Sequence, residues 1–331
     1  MNDLADRPLI DVDWRRTLRL VASVAAQEAF PTRVIYGGHP IDGSYLFSFK
    51  SGEAPTDADG AQLEQALGRL IDGDLALARK TLPFGEVLAY FEEHGMDASV
   101  ALLKTRVREQ IEVVELAGST RLRLFPLLGS TGALAEPRPS VRVVPEGILV
   151  VYKPNGPGGT FTPSSTLLAS FADHRAWGRV HGAYSLGKLN ALKGVGREVV
   201  DFNLHAEFRQ EAKLAAIAEA IRARNEAASG PSHTVGVICI AGPTSSGKTT
   251  FATKLAMYLS NYGYHAVALS VDHYYLPLDE QPLYKLRQER ADVDYDSIDA
   301  MDVPHLNEQL NALLRGEELP ATGKVRFFNI L

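Results

Sequence analysis

The chain has 331 residues and a mass of 36.0 kDa, room for two or three domains at about 100–200 residues each. Hydrophobic residues make up 45% and charged residues 22%, which supplies a core and excludes whole-chain disorder, while 28 Gly and 18 Pro are too few for a collagen or low-complexity chain. A formal net charge of -6 and a pI near 5.9 exclude retention on nucleic acid or anionic lipid by bulk charge.

The single cysteine, Cys239, excludes an internal disulfide and a four-cysteine zinc site and fits a reducing compartment. MNDLADRPLIDVDWRR at the N-terminus has no apolar run after a basic start, so no secretory signal is expected. The longest strongly apolar run, Val235 to Ala241, is too short to span a bilayer. A cytoplasmic protein without a membrane partner is the expectation.

In chain order, Leu18, Val21, Ala22, Ala25, Ala26 and Ala29 recur at helical spacing after Trp14, and Pro31 follows the end. Arg33–Tyr36 and Ser44–Phe49 read as two short strands around a turn-rich Gly37–Gly43. Helices are expected from about Ala58 to Asp72 and from Phe84 to Glu93. Val107 to Ser140 mixes short strands and turns, and Arg142–Val144 and Gly147–Tyr152 read as a further strand pair. Lys153–Ser165, with three Pro and three Gly, reads as a boundary. Thr166 to Ala228 is mainly helical, best in Phe208 to Ala227, whose face is Leu214, Ile217, Ala218 and Ile221. Ala228–His233 is a second linker.

The strongest signal follows. Gly242-Pro243-Thr244-Ser245-Ser246-Gly247-Lys248-Thr249 fits G-x-x-x-x-G-K-[ST] at every fixed position. Glycines let backbone N–H groups turn toward phosphate oxygens, the lysine reaches terminal phosphates, and the threonine hydroxyl serves Mg2+. Val235–Ile240 reads as a parallel strand buried on both faces, with Cys239 packed within it. Thr250–Leu259 reads as a helix with Phe251, Leu255, Ala256 and Leu259 inward. The competing reading is a glycine-rich turn carrying a lysine by chance; the strand–turn–helix order weighs against it. A second strand, His265–Val271, ends at Asp272. At the carboxyl end of such a strand an acid can face the phosphate loop, as base or metal partner; a turn or helix-capping Asp is the alternative. Four Asp between Asp294 and Asp302 suit ribose hydroxyls or, equally, a capped start to the helix Val303–Leu314.

Ala241–Ala256, Ser270–Pro277 and Asp294–Pro320 together resemble the uridine kinase and phosphoribulokinase family of P-loop kinases. Phe91–Lys104, Trp177-Gly178, Leu189-Asn190 and Glu211–Ile221 resemble the front of a longer form of that family, in which a threonyl-tRNA-synthetase-like second additional domain precedes the kinase. The resemblance implies ATP and Mg2+ as cofactors and a small-molecule acceptor, a nucleoside such as uridine. It implies that Gly242, Pro243, Thr244, Ser245, Ser246, Gly247, Lys248, Thr249 and Thr250 hold ATP. Lys248 and Asp272 would be catalytic, Thr249 and Asp272 would hold the metal, and Asp272, Tyr274, Tyr295 and Asp296 would meet the acceptor. Ser297-Ile298 stand where family members often carry His-Pro. The zinc-dependent editing of the synthetase relatives is not expected: none of the nine His forms an H-x-x-x-H pair, and no Cys precedes Cys239.

The implied fold is an α+β domain over 1–155, a mainly helical connector over 156–231 and an incomplete α/β P-loop kinase domain with a parallel sheet over 232–331. No strand with an acidic tip, arginine lid or adenine-binding end follows Asp302, so the kinase reads as C-terminally truncated. The expected activity is in-line transfer of the ATP γ-phosphate. The alternative is a non-catalytic nucleotide-binding or regulatory protein, or an inactive kinase fragment. A P-loop GTPase is disfavoured, because D-x-x-G and N-K-x-D motifs are absent after Thr249. The oligomeric state stays open.

Overall fold

The computed structural model describes residues 12–105, 108–152, 163–192, 196–230, 234–242, 245–266, 268–281, 298–315 and 317. They fall into two units, Met1–Val199 and Val200–Leu331. In the first, the apolar stripe after Trp14 becomes helix α1 (Val12–Ala29), with Leu18, Val21, Ala22 and Ala25 buried. Strands β1 (Ile35–Ile41) and β2 (Ser44–Phe49) follow, then α2 (Asp57–Asp72). Thr56 starts α2 with a capping box: its side chain accepts from the Asp59 amide, and the Asp59 carboxylate accepts from the Thr56 amide. Burial pushes the Asp59 carboxyl upward, but the hydrogen bonds from Thr56 and the Arg33 guanidinium more than offset it and hold it below its ordinary value.

β1 and β2 join β6 (Ser140–Val144) and β7 (Gly147–Val151) in an antiparallel sheet of order β1-β2-β7-β6. Leu46 lies opposite Leu149 and Phe47 opposite Ile148. The stretch expected as a loop, Gly37–Gly43, mostly belongs to β1, which turns back only at Asp42-Gly43. An irregularity in register between Tyr36 and His39 absorbs the two glycines. Gly37 is required there by close approach: a Cβ would lie 1.9 Å from the Phe47 ring.

β2 and β7 are buried throughout, because both faces of the sheet are covered. On one face Tyr45, Phe47, Phe49, Ile148 and Val150 pack with residues of α1 and α2. On the other, Leu46, Leu149 and Val151 pack with Leu168 and Phe171 of α5 (Ser165–Val180). Helix α5, read from sequence as connector, thus counts with the first unit, as does α6 (Leu186–Ala191).

A smaller antiparallel sheet has the order β3-β4-β5, from β3 (Ala78–Pro83), β4 (Gln110–Leu116) and β5 (Ser119–Leu122). α3 (Phe84–Glu93) and α4 (Asp97–Lys104) pack on it through Val87, Phe91 and Leu103 against Ile111 and Val113. Thr131 closes the end of α2. Its hydroxyl donates to the Leu70 carbonyl at 2.5 Å and accepts from the Leu75 amide at 2.8 Å, at 0% exposure. Thr131→Val keeps the shape and strands both backbone groups. The expected cost is about 1–3 kcal/mol, read as a lower urea midpoint with an unchanged slope.

His39 contacts the Phe171 ring, with centroids 5.1 Å apart. Burial, then the charges of Arg175 and Arg19, push its imidazole down to about 4. The unfolded chain takes up this proton first, near pH 6.5. Stability is therefore complete above about pH 6.5 and declines as the pH falls toward 4, by on the order of 2–3 kcal/mol in full. His39→Gln is expected to flatten that window in denaturation midpoints measured from pH 7 to pH 4; an unchanged pH profile would show that the imidazole is not the titrating group.

In the second unit, the long α7 (Arg197–Glu226), which begins just before the unit boundary, packs Leu214 and Ala218 against Leu255 and Leu259 of α8 (Lys248–Ser260). Glu211 receives hydrogen bonds from Lys254 at 2.5 Å and Tyr258 at 2.8 Å. The last described helix is α9 (Val303–Leu314). The expected strand Val235–Ile240 forms no ladder, and no parallel sheet occurs among the described residues. Val237 and Ile238 are 44% and 38% exposed, and Cys239, expected in a buried strand, is exposed. An apolar run is buried on both faces only when strands flank it and layers cover it; here no described segment pairs with it. Residues 265–266 and 268–270 are likewise without a ladder, and the chain passes into a 3-10 turn, Val271–Tyr274.

Candidate phosphate-binding loop

Of the glycine-rich motif, Gly242 and Ser245 to Thr250 are described; Pro243 and Thr244 lie outside the described residues. Ser245 has φ +62° and Gly247 φ +84°. Two left-handed positions so close together curl the backbone into an arc of the kind that turns amides inward. Gly247 is also the N-cap of α8 and offers no side-chain acceptor to the first-turn amides. Only the Gly247 carbonyl engages the helix, receiving the Phe251 amide at 2.9 Å. The positive end of α8 therefore faces the loop. Lys248 folds back over the arc, donating from Nζ to the Gly242 carbonyl at 2.7 Å. A Cβ at Gly242 would lie 2.8 Å from the Ser246 hydroxyl, so the loop is tight at its start. Curled backbone, helix terminus and lysine together fit a phosphate group.

Thr249 and Thr250 are exposed in the first turn of α8. Asp272 is exposed in the 3-10 turn. Two residues on, Tyr274 is buried, and its hydroxyl donates to Gln309 Oε1 at 2.6 Å. Burial raises the Tyr274 phenol above its ordinary value. Gln309 Nε2 in turn lies 2.9 Å from His305 Nε2. This Tyr274–Gln309–His305 chain ties the Asp272 turn to α9. The sequence reading missed it; its one signal is the four-residue spacing of His305 and Gln309, which sets both on one helix face. Tyr295 and Asp296 lie outside the described residues. Of the acidic run, Asp302 caps α9, accepting from the His305 amide at 3.0 Å. No group of three or more His, Cys, Asp or Glu is placed to hold a metal among the described residues. A site for Mg2+ would therefore rest on the Thr249 hydroxyl, Asp272 and the phosphates themselves, a donor set that suits a hard cation bound largely through phosphate and water.

No family model matches the chain. Comparison with curated proteins finds two kinds of relative. A uridine kinase of Lactobacillus helveticus (strain DPC 4571) is 38% identical over 86 residues, 25% of this chain and 38% of the kinase. Threonine–tRNA ligases of Syntrophomonas wolfei and Maricaulis maris are 28% and 26% identical over 122 and 132 residues. Those matches cover 37% and 40% of this chain and 19% and 20% of the ligases. The chain is similar in part to two different enzymes. It spans well under half the length of the curated relatives it matches. Among the described residues, no helix is long and apolar enough to cross a membrane.

Proposed function

We propose that the chain belongs to an ATP-dependent phosphotransferase that acts on a small hydroxyl substrate, a nucleoside such as uridine, in the manner of a uridine kinase. The observation that carries this reading is the arc from Ser245 to Gly247 at the start of α8, with Lys248 folded across it. The partial likeness to a uridine kinase supports it. In this reading the arc's amides receive phosphate oxygens, and Lys248 Nζ exchanges the Gly242 carbonyl for the terminal phosphates. The Thr249 hydroxyl and the Asp272 carboxylate would hold Mg2+, and Asp272 would accept the proton of the attacking hydroxyl. Bound ATP with Mg2+ supplies the transferable phosphoryl group and neutralises its charge. Tyr274 contributes by position: its buried hydroxyl, held by Gln309, anchors the turn that carries Asp272.

The test is phosphate transfer from labelled ATP to a panel of nucleosides and sugar phosphates. Transfer to one acceptor class is expected, reduced by roughly 10²-fold or more in Asp272→Asn. A chain that neither transfers phosphate nor binds ATP would overturn the reading. A second reading is nucleotide binding without turnover. It is favoured by the unladdered run Val235–Ile240, in which Val237 and Ile238 are exposed, because catalytic placement of a phosphate loop relies on a strand held in a sheet. Calorimetric ATP binding with no transfer to any acceptor would select it.

A further inference from the structure

The run Val235–Ile240 enters the glycine-rich loop without a ladder among the described residues. A loop of this kind holds an anion by geometry. Its amides must already be aimed, or binding has to order them first and affinity suffers. With no strand pairing, other contacts must hold the two arms of the loop, the run before Gly242 and α8 after it. Those contacts converge on α7.

The entering arm is tied at its start. Asn225, in the last turn of α7, accepts the Val235 amide at its Oδ1, 2.7 Å away. Among the described residues this is the one hydrogen bond from the run to another segment. At the far end of the run, Ile240 packs on the cluster that Leu214 and Ala218 of α7 form with Leu255 and Leu259 of α8. The leaving arm is clamped along its length. Glu211 takes Lys254 and Tyr258 together. About two helical turns on, Glu219 accepts from the Tyr262 hydroxyl just past the end of α8. Arg222 lies over the Tyr262 ring, 5.6 Å from its centroid. All of these residues belong to the second unit.

One helix therefore holds both sides of the loop, but unequally. α8 is fixed by a buried apolar contact and several polar ones, so losing any single polar tie leaves it seated. The entering arm has one polar tie, and Asn225 supplies it.

We infer that α7 presets the glycine-rich loop and that Asn225 is a positioning residue for nucleotide binding. The inference rests on the reading of this loop as the ATP site. Without the Asn225 acceptor the entering arm is free, the binding-competent curl is less populated, and apparent affinity falls in proportion. The helix itself does not need Asn225, since alanine is the better helix former at that position.

Two measurements on the full chain test this. The lone cysteine, Cys239, lies in the entering arm and is exposed. A nitroxide attached there reports the motion of the arm by its electron paramagnetic resonance line shape, with no nucleotide present. Calorimetry of the unlabelled chain gives its affinity for ATP with Mg2+. Asn225→Ala is expected to sharpen the nitroxide spectrum and to weaken ATP binding about fivefold, the weight of one net hydrogen bond. Asn225→Asp keeps an acceptor oxygen and is expected to restore both. An unchanged line shape in Asn225→Ala would overturn the inference, as would unchanged ATP affinity in that variant when the parent binds ATP. Loss of helical circular dichroism in Asn225→Ala would overturn it too, because the residue would then be holding the helix rather than the arm. No ATP binding by the parent chain overturns the reading of the loop instead, and the nitroxide then decides whether α7 holds the arm.

Discussion

Lys248→Ala is expected to reduce phosphate transfer by roughly 10²–10³-fold, the usual loss when one preorganised charge-stabilising donor is removed. The side chain has a single ammonium to bring to a terminal phosphate, and it is already folded over the loop, 2.7 Å from the Gly242 carbonyl. Little of the fold rests on it. It lies in the first turn of α8, whose packing on α7 is made by Leu255 and Leu259. The thermal midpoint should therefore hold, with stability within about 0.5 kcal/mol of the parent. Lys248→Arg separates charge from shape. It keeps the cation but replaces a compact ammonium with a wide planar fork, and partial loss is expected. Full transfer by Lys248→Ala would remove the loop from the mechanism.

The largest stability effect is expected at Phe47. Phe47→Ala should cost about 3–5 kcal/mol, the range for emptying a buried aromatic site. Its ring is 1% exposed, lies against the bare backbone of Gly37, and belongs to the core shared with α1 and α2. Phe47 pairs with Ile148 in the middle of the sheet, so the gap opens where neighbouring strands are held by their own hydrogen bonds and cannot collapse into it. Both tryptophans, Trp14 and Trp177, lie in the first unit, so tryptophan fluorescence in a urea titration reads this unit separately. A loss below about 1 kcal/mol would mean that the sheet relaxes far more than a close-packed core allows. Gly37→Ala approaches the same contact from the other side and should also destabilise, by overpacking.

The elements of the first unit were legible where periodicity was local. The three-and-four spacing after Trp14 and the segments Ala58–Asp72 and Phe84–Glu93 each became the expected helix. Gly37–Gly43 was misjudged because its glycines read as a turn, whereas one of them makes room for Phe47 across the sheet. That contact joins residues ten apart in sequence and belongs to the pairing. The strand β3 was missed for a similar reason. ARKTLP carries little apolar alternation and is almost wholly exposed; its pairing with β4 holds it.

At the glycine-rich loop, residue type and spacing alone singled out Gly242 to Thr249 as a candidate, because the chemistry of holding phosphate demands small residues, a lysine and a hydroxyl in a fixed order. The same reasoning could not place Val235–Ile240. Its apolar character is a capacity for burial, and burial is decided by which strands and layers surround it.

Composition and residue order by themselves determined a chain with enough apolar mass for more than one core, a lone cysteine and one motif of strict phosphate-binding form. Local chemistry is sufficient for those conclusions, since each depends on the residues present or on neighbours in sequence. Only the tertiary structure decided that α5 closes the second face of the four-stranded sheet and that Cys239 is exposed. Burial and charge balance are sums over residues distant in sequence, so they exist only once the chain has brought those residues together.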